Sequence, residues 1–133
     1  MANKLKLASK TRIYVDTRHL LDEMIDITVN FPRAYKYTIG SRMHDISITL
    51  LLCVAKAYME KDLSVRIRAL TDFQTSFEVL KTLVRIAGER KWISLGRHAH
   101  IAELMESIGR QSTAWKNSLI SVGENCGNRT GQG

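Results

Sequence analysis

The chain has 133 residues, 44% of them apolar and 25% charged. That length suits one domain with a sizeable core, and the balance excludes a wholly disordered chain. Twenty lysines and arginines stand against thirteen acidic residues, a formal charge of +7, which favours a polyanionic partner, nucleic acid or an anionic membrane surface, over a cationic one.

Residues 1–11 carry Lys4, Lys6 and Lys10 without a clear period and read as a loose basic arm. They hold no continuous apolar stretch, so no secretory signal is expected. From 12 to 30, Ile13, Leu20, Leu21, Met24, Ile25 and Thr28 recur at helical spacing, with Asp22, Glu23 and Asp26 assigned to the outer face. Phe31-Pro32 should end this helix, because proline disfavours helical geometry in the residue before it. Residues 33–37 read as a short connection. Thr38 is placed to cap a second helix, reaching to about residue 60, with Ile39, Met43, Ile46, Leu50, Val54 and Ala57 on its stripe. Between 46 and 59 only Ser47, Thr49 and Lys56 are not apolar. The run is too short to span a bilayer, so no membrane partner is expected, but it needs covering on nearly all sides.

Asp62 or Ser64 should cap a third helix, ending near residue 90. Its stripe is Leu63, Ile67, Leu70, Phe73, Phe77, Leu80 and Val84, widened by Val65, Val79, Leu83 and Ile86. After a break over 88–93, Ser94 should cap a fourth helix reaching to about residue 122. Its stripe is Leu95, Ala99, Ala102, Met105, Ile108, Trp115, Leu119 and Val122. Residues 123–133 hold four glycines and little to bury, so they read as a disordered tail. The predicted organisation is an all-α, antiparallel up-down-up-down four-helix bundle over 12–122, flanked by the arm (1–11) and the tail (123–133). The surplus apolar surface of the second and third helices favours self-association; a thick monomeric core is the alternative.

No catalytic constellation emerges. His98 and His100 are two apart and point to different sides of a helix, whereas a zinc-binding helix pair wants a four-residue spacing. With His19 and His44 they read as surface histidines, so neither a metal site nor a cofactor is expected. Cys53, in an apolar helix, reads as a packing residue. A disulfide to Cys126 is not expected, and the chain reads as cytoplasmic. Arg97 lies too close to His98 and His100 for an RNA-cleaving Arg–His pair. The cations say more. Lys81 and Arg85 are four apart on one helix face; such like charges cost about 0.2–0.5 kcal/mol unless a partner neutralises them. Phosphates would do so and release counterions, and Glu78 and Glu89 could do so within the helix. Arg33, Lys36 and Arg42 are interleaved with Tyr35 and Tyr37, a mixture that suits single-stranded bases and equally a loop whose tyrosines cover a helix end. Trp115 reads as core and Lys116 as solvated.

The motifs Asn30-Phe31-Pro32-Arg33 and Tyr37-Thr38-Ile39-Gly40-Ser41-Arg42, followed by an apolar helix, resemble a four-helix-bundle family. That family contains the ribosomal-RNA intervening-sequence proteins and the accessory variability determinants of diversity-generating retroelements. Leu80-Lys81-Thr82-Leu83-Val84-Arg85-Ile86-Ala87 is similar to the family's third helix. Ser107-Ile108-Gly109-Arg110 followed by Trp115-Lys116-Asn117-Ser118 resembles the fourth helix of the accessory branch. Gln111-Ser112-Thr113-Ala114 departs from that branch, which often has small glycines before the tryptophan.

The resemblance implies a non-enzymatic protein that forms a homopentameric barrel with a basic surface. It implies binding to the element's reverse transcriptase and to RNA, with DNA and RNA/DNA hybrid as further ligands, in support of mutagenic copying of a template RNA. It puts Lys81 and Arg85 first as contacts and Arg110 and Lys116 second; Arg33, Lys36 and Arg42 complete the expected set. The alternative is a structural helical oligomer of the intervening-sequence type with no specific RNA role.

Overall fold

The computed structural model describes the backbone of residues 2–131 and the side chains of residues 3–126. The described residues contain no strand. Among the described residues there are four long helices, α2 (Arg12–Thr28), α4 (Ile39–Met59), α5 (Leu63–Glu89) and α6 (Leu95–Gly131), and two short ones, α1 (Ala2–Ala8) ahead of α2 and α3 (Arg33–Lys36) between α2 and α4. α4 packs against α2 and α5, and α6 packs against α5 and α2, so the four long helices enclose one core. Among the described residues no helix is long and apolar enough to cross a membrane.

Each boundary has a local cause. α2 stops ahead of Phe31-Pro32, and the carbonyl of Pro32 then accepts from the amides of Tyr35 and Lys36 to start α3. The expected connection is therefore a single helical turn. Thr38 stands at the start of α4 but does not cap it. Its hydroxyl turns back to the carbonyls of Ala34 and Tyr35, 3.3 and 3.4 Å away, and makes no bond to the α4 amides. Asp62 does cap α5, accepting from the amides of Ser64 and Val65. The Ser64 hydroxyl and these amides hold its carboxyl below the usual carboxylate range. Arg66 donates from Nε to the carbonyl of Ala57 at 2.7 Å, supplying a partner for the open end of α4. α5 ends in a Schellman arrangement, with the Trp92 amide on the Ala87 carbonyl and the Lys91 amide on that of Gly88. Lys91 occupies the left-handed position, at φ 62°. Ser94 caps α6 through a bond from the Arg97 amide to its hydroxyl, 3.1 Å long.

Both ends differ from the sequence reading. The expected loose arm contains helix α1, which packs on α4 through the fully buried Ala8. Among its described side chains only Ala8 is buried, which leaves no period to detect, and Lys4, Lys6 and Lys10 are exposed as expected. The expected disordered tail is a continuation of α6 as far as Gly131; residues 132 and 133 lie outside the described residues. Along this continuation α6 passes close to the start of α5: a Cβ on Gly123 would lie 3.0 Å from Cδ2 of Leu63.

Leu20, Met24, Met43, Leu50, Phe73, Leu80, Ile101 and Ile108 form the heart of the core. Burying each such side chain contributes about 1.5–3 kcal/mol. A smaller cluster of Ala57, Ala69, Leu70 and Leu119 continues it, and the half-buried Trp115 packs against both. Five predicted stripe residues, Ile25, Leu95, Ala99, Ala102 and Val122, are instead exposed. Leu95 is the first residue of α6, ahead of the turn that meets the core, and Ile25 lies on the outside of α2, where Ile27 takes the inner place. Surplus apolar surface is present where the sequence places it: Ile48 and Leu52 on α4 and Val79 on α5 stand in solvent, Leu52 at 65% exposure.

The crossing of α2 over α4 is close. A Cβ on Gly40 would touch the Thr28 side chain at 3.4 Å. There the Thr28 hydroxyl donates to the Ile25 carbonyl (3.2 Å) and also meets Nε2 of His44 at 2.6 Å.

Candidate nucleic-acid interface

A groove of about 1030 Å³ runs between α5 and α6. Phe77, Val84 and Met105 are buried residues along it, and Lys81, Arg85 and Arg110 supply its cations. The helical period explains the grouping. Gln74, Glu78, Lys81 and Arg85 follow one another at three- and four-residue steps on α5, as Ala102, Met105, Gly109 and Thr113 do on α6. The α6 side of the groove is built largely from small residues, Ala102, Gly109, Thr113 and Ala114, which cannot fill the space between the helices. α5 also carries three threonines, Thr71, Thr75 and Thr82, bonded to the carbonyls four residues back, an arrangement that bends helices.

The groove is less positive than its cations suggest. Lys81 Nζ is 2.7 Å from Glu78 Oε1 and 5.5 Å from the centre of the Phe77 ring. Arg110 Nη1 is 3.5 Å from Glu106 Oε1. Glu78 and Glu106 line the same groove, so three cations face two carboxylates. Arg85 is exposed and has no ion pair among the described residues; the expected internal neutralisation reaches Lys81, through Glu78, but not Arg85.

The structure thus brings Lys81, Arg85 and Arg110 together and separates the remaining expected residues. Lys116 is half-buried, in place of the expected solvated position. Its Nζ donates to Oε1 of Gln74 at 3.2 Å and ties α6 to α5 where Gln74 enters the groove. Arg33 and Lys36 lie on α3 and Arg42 on the first turn of α4, none of them lining the groove. Of the interleaved tyrosines, Tyr35 stacks on Trp92 with ring centres 4.8 Å apart, and Arg90 lies over both rings. Tyr35 therefore has the packing role. Tyr37 stands largely in solvent with Lys36 Nζ 6.0 Å from its ring centre.

A second polar cluster lies between α2 and α6, and the sequence reading misplaces its central residue. Glu23, assigned to the outer face, is only 8% exposed. Arg97 of α6 donates from Nε to Glu23 Oε2 at 2.7 Å and reaches Asp26 Oδ2 at 3.4 Å. His19 and His100 approach the other carboxylate oxygen of Glu23. Glu23 stands one helical turn from His19, the one signal of this cluster in the sequence, whereas Arg97 and His100 reach it from α6 only in space.

Nothing in the described residues forms an acid–base or nucleophile pair around Cys53. It is half-buried within α4; burial, then the charge of Asp72, raise its thiol above the ordinary range, with Lys56 opposing. That disfavours the thiolate a nucleophile needs.

No curated protein matches the sequence. A family model described as bAvd-like matches residues 8–119, from the end of α1 through most of α6 and across the whole groove. The chain therefore belongs to the bAvd-like family, the accessory variability determinants that its helix motifs resemble.

Proposed function

We propose that the protein is a non-enzymatic accessory factor of a diversity-generating retroelement. It works in the cytoplasm with the element's reverse transcriptase and holds template RNA, or the DNA and hybrid made from it, in the α5–α6 groove. The observation that carries this reading is the meeting of Lys81, Arg85 and Arg110 on one open surface. Cations there would neutralise successive phosphates, giving binding with little sequence preference and a steep salt dependence. Specificity then comes from the transcriptase and from the shape of the RNA.

The bundle acts as a homo-oligomer, a pentameric barrel of up-down-up-down subunits. Support comes from the exposed Ile48, Leu52 and Val79, apolar side chains on the two helices that the sequence marks as over-supplied. A second reading, a structural oligomer without a specific RNA role, draws on the Glu78 and Glu106 pairs that already satisfy two of the three groove cations.

A salt titration separates the two. Replacing Lys81, Arg85 and Arg110 by alanine should flatten the slope of log K against log salt by about 2 for single-stranded RNA, at about 0.7 per phosphate. An unchanged slope refutes the groove assignment. Sedimentation of the purified chain as a single copy refutes the oligomer.

A further inference from the structure

We propose that His19, Glu23 and His100 form a binding site for a transition-metal dication of the zinc type, clamping α2 to α6. This inference is independent of the groove and of nucleic acid. His19 and Glu23 stand one turn apart on α2, and His100 comes from α6. Glu23 Oε1 lies 3.3 Å from His19 Nε2 and 3.7 Å from His100 Nε2, and the three atoms lie within 4.8 Å of one another. Ligand atoms around a tetrahedral zinc, with bonds of about 2.0–2.1 Å, sit about 3.3–3.4 Å apart. The two distances to the carboxylate already bracket that edge, so small rotations of the two exposed imidazoles would bring all three atoms to bonding distance.

The surroundings are those of a held ligand. The Glu23 side chain is nearly buried, and Arg97 fixes its other oxygen, Oε2, at 2.7 Å. That leaves Oε1 aimed at the imidazoles, as outer partners orient metal-binding carboxylates. Asp26, on Arg97 Nη2, offsets the arginine's charge, so Glu23, Asp26 and Arg97 together leave one negative charge for the cation. Two imidazoles and one carboxylate suit zinc, cobalt and nickel better than magnesium or calcium. Both histidines are about half exposed at the side chain, which leaves a fourth position for water.

The test uses the untagged, chelator-washed full chain. Titration calorimetry with Zn²⁺ should give one ion per chain, and Co²⁺ should produce the visible bands of four-coordinate cobalt. Zinc should also raise the melting temperature by several degrees over the same protein in chelator. His19→Ala and His100→Ala, both at exposed side chains, should each weaken binding at least tenfold and abolish the thermal shift. His44→Gln, which changes a histidine bonded to Thr28 instead, should keep both. Binding that survives the His19→Ala/His100→Ala double variant, or a stoichiometry well below one, overturns the proposal. Circular dichroism on each variant separates lost binding from lost folding.

Discussion

Two groove cations are already engaged by carboxylates, so an RNA backbone must displace Glu78 and Glu106 to reach Lys81 and Arg110. Replacing both glutamates by glutamine should therefore tighten binding. The Lys81–Glu78 pair is short, 2.7 Å, and its lysine side chain is 40% exposed; it belongs in the upper part of the range for surface pairs, about 0.5–1 kcal/mol. The Arg110–Glu106 pair is 3.5 Å long with both side chains more than 70% exposed, and contributes about 0.2–0.4 kcal/mol. Releasing both recovers about 1 kcal/mol, roughly a five-fold fall in Kd. Removing two negative charges from the path of the phosphates adds to this when salt is low and shrinks as the Debye length falls from about 30 Å at 0.01 M to about 10 Å at 0.1 M. Fluorescence anisotropy with a labelled single-stranded RNA, repeated across salt concentrations, reads the effect. Glu60→Gln/Glu103→Gln makes the same change in net charge at exposed residues outside the groove. Equal tightening in that control, or no tightening at low salt in the groove variant, refutes the reasoning.

Three further changes test the packing. Lys91→Gly places the residue best suited to φ 62° at the end of α5; it should add about 1 kcal/mol and raise the melting temperature by about 3–5 °C. Thr17→Val replaces a fully buried hydroxyl that has no hydrogen-bond partner among the described residues. It should stabilise by about 1 kcal/mol in chemical denaturation, and a loss of stability would show that the hydroxyl is satisfied. Gly88→Ala would put a Cβ 2.5 Å from Nδ1 of His98, costing about 1–3 kcal/mol as the ring is driven off. In a His98→Ala background the same change should become stabilising, as alanine normally is in a helix, and a double-mutant cycle that shows no such reversal contradicts the contact.

The helices that build the groove were legible because their order is written locally. Pro32 marks where α2 must end, Asp62 and Ser94 sit where caps belong, and the stripe from Phe73 to Val84 repeats with the helical period. The groove cations Lys81 and Arg85 share a face for the same reason. What the sequence withheld depends on distant partners. Glu23 looks like a solvated acid until Arg97, 74 residues away, covers it. Lys116 looks like a surface lysine until Gln74 comes within reach from α5. Thr38 has the right chemistry for a cap, but the one-turn α3 offers its hydroxyl nearer carbonyls. α1 escaped notice because Ala8 is the only buried side chain among its described ones, and the end of α6 because its glycines and polar residues read as a tail, so neither gives a periodic signal.

The close crossing of α2 over α4 gives one proton two places to go. A threonine hydroxyl has a single hydrogen, and that of Thr28 points either to the Ile25 carbonyl, 3.2 Å away, or to Nε2 of His44, at 2.6 Å. In the first arrangement the imidazole carries its own hydrogen on Nε2, in the second on Nδ1, and nitrogen NMR of the ring tells the two apart.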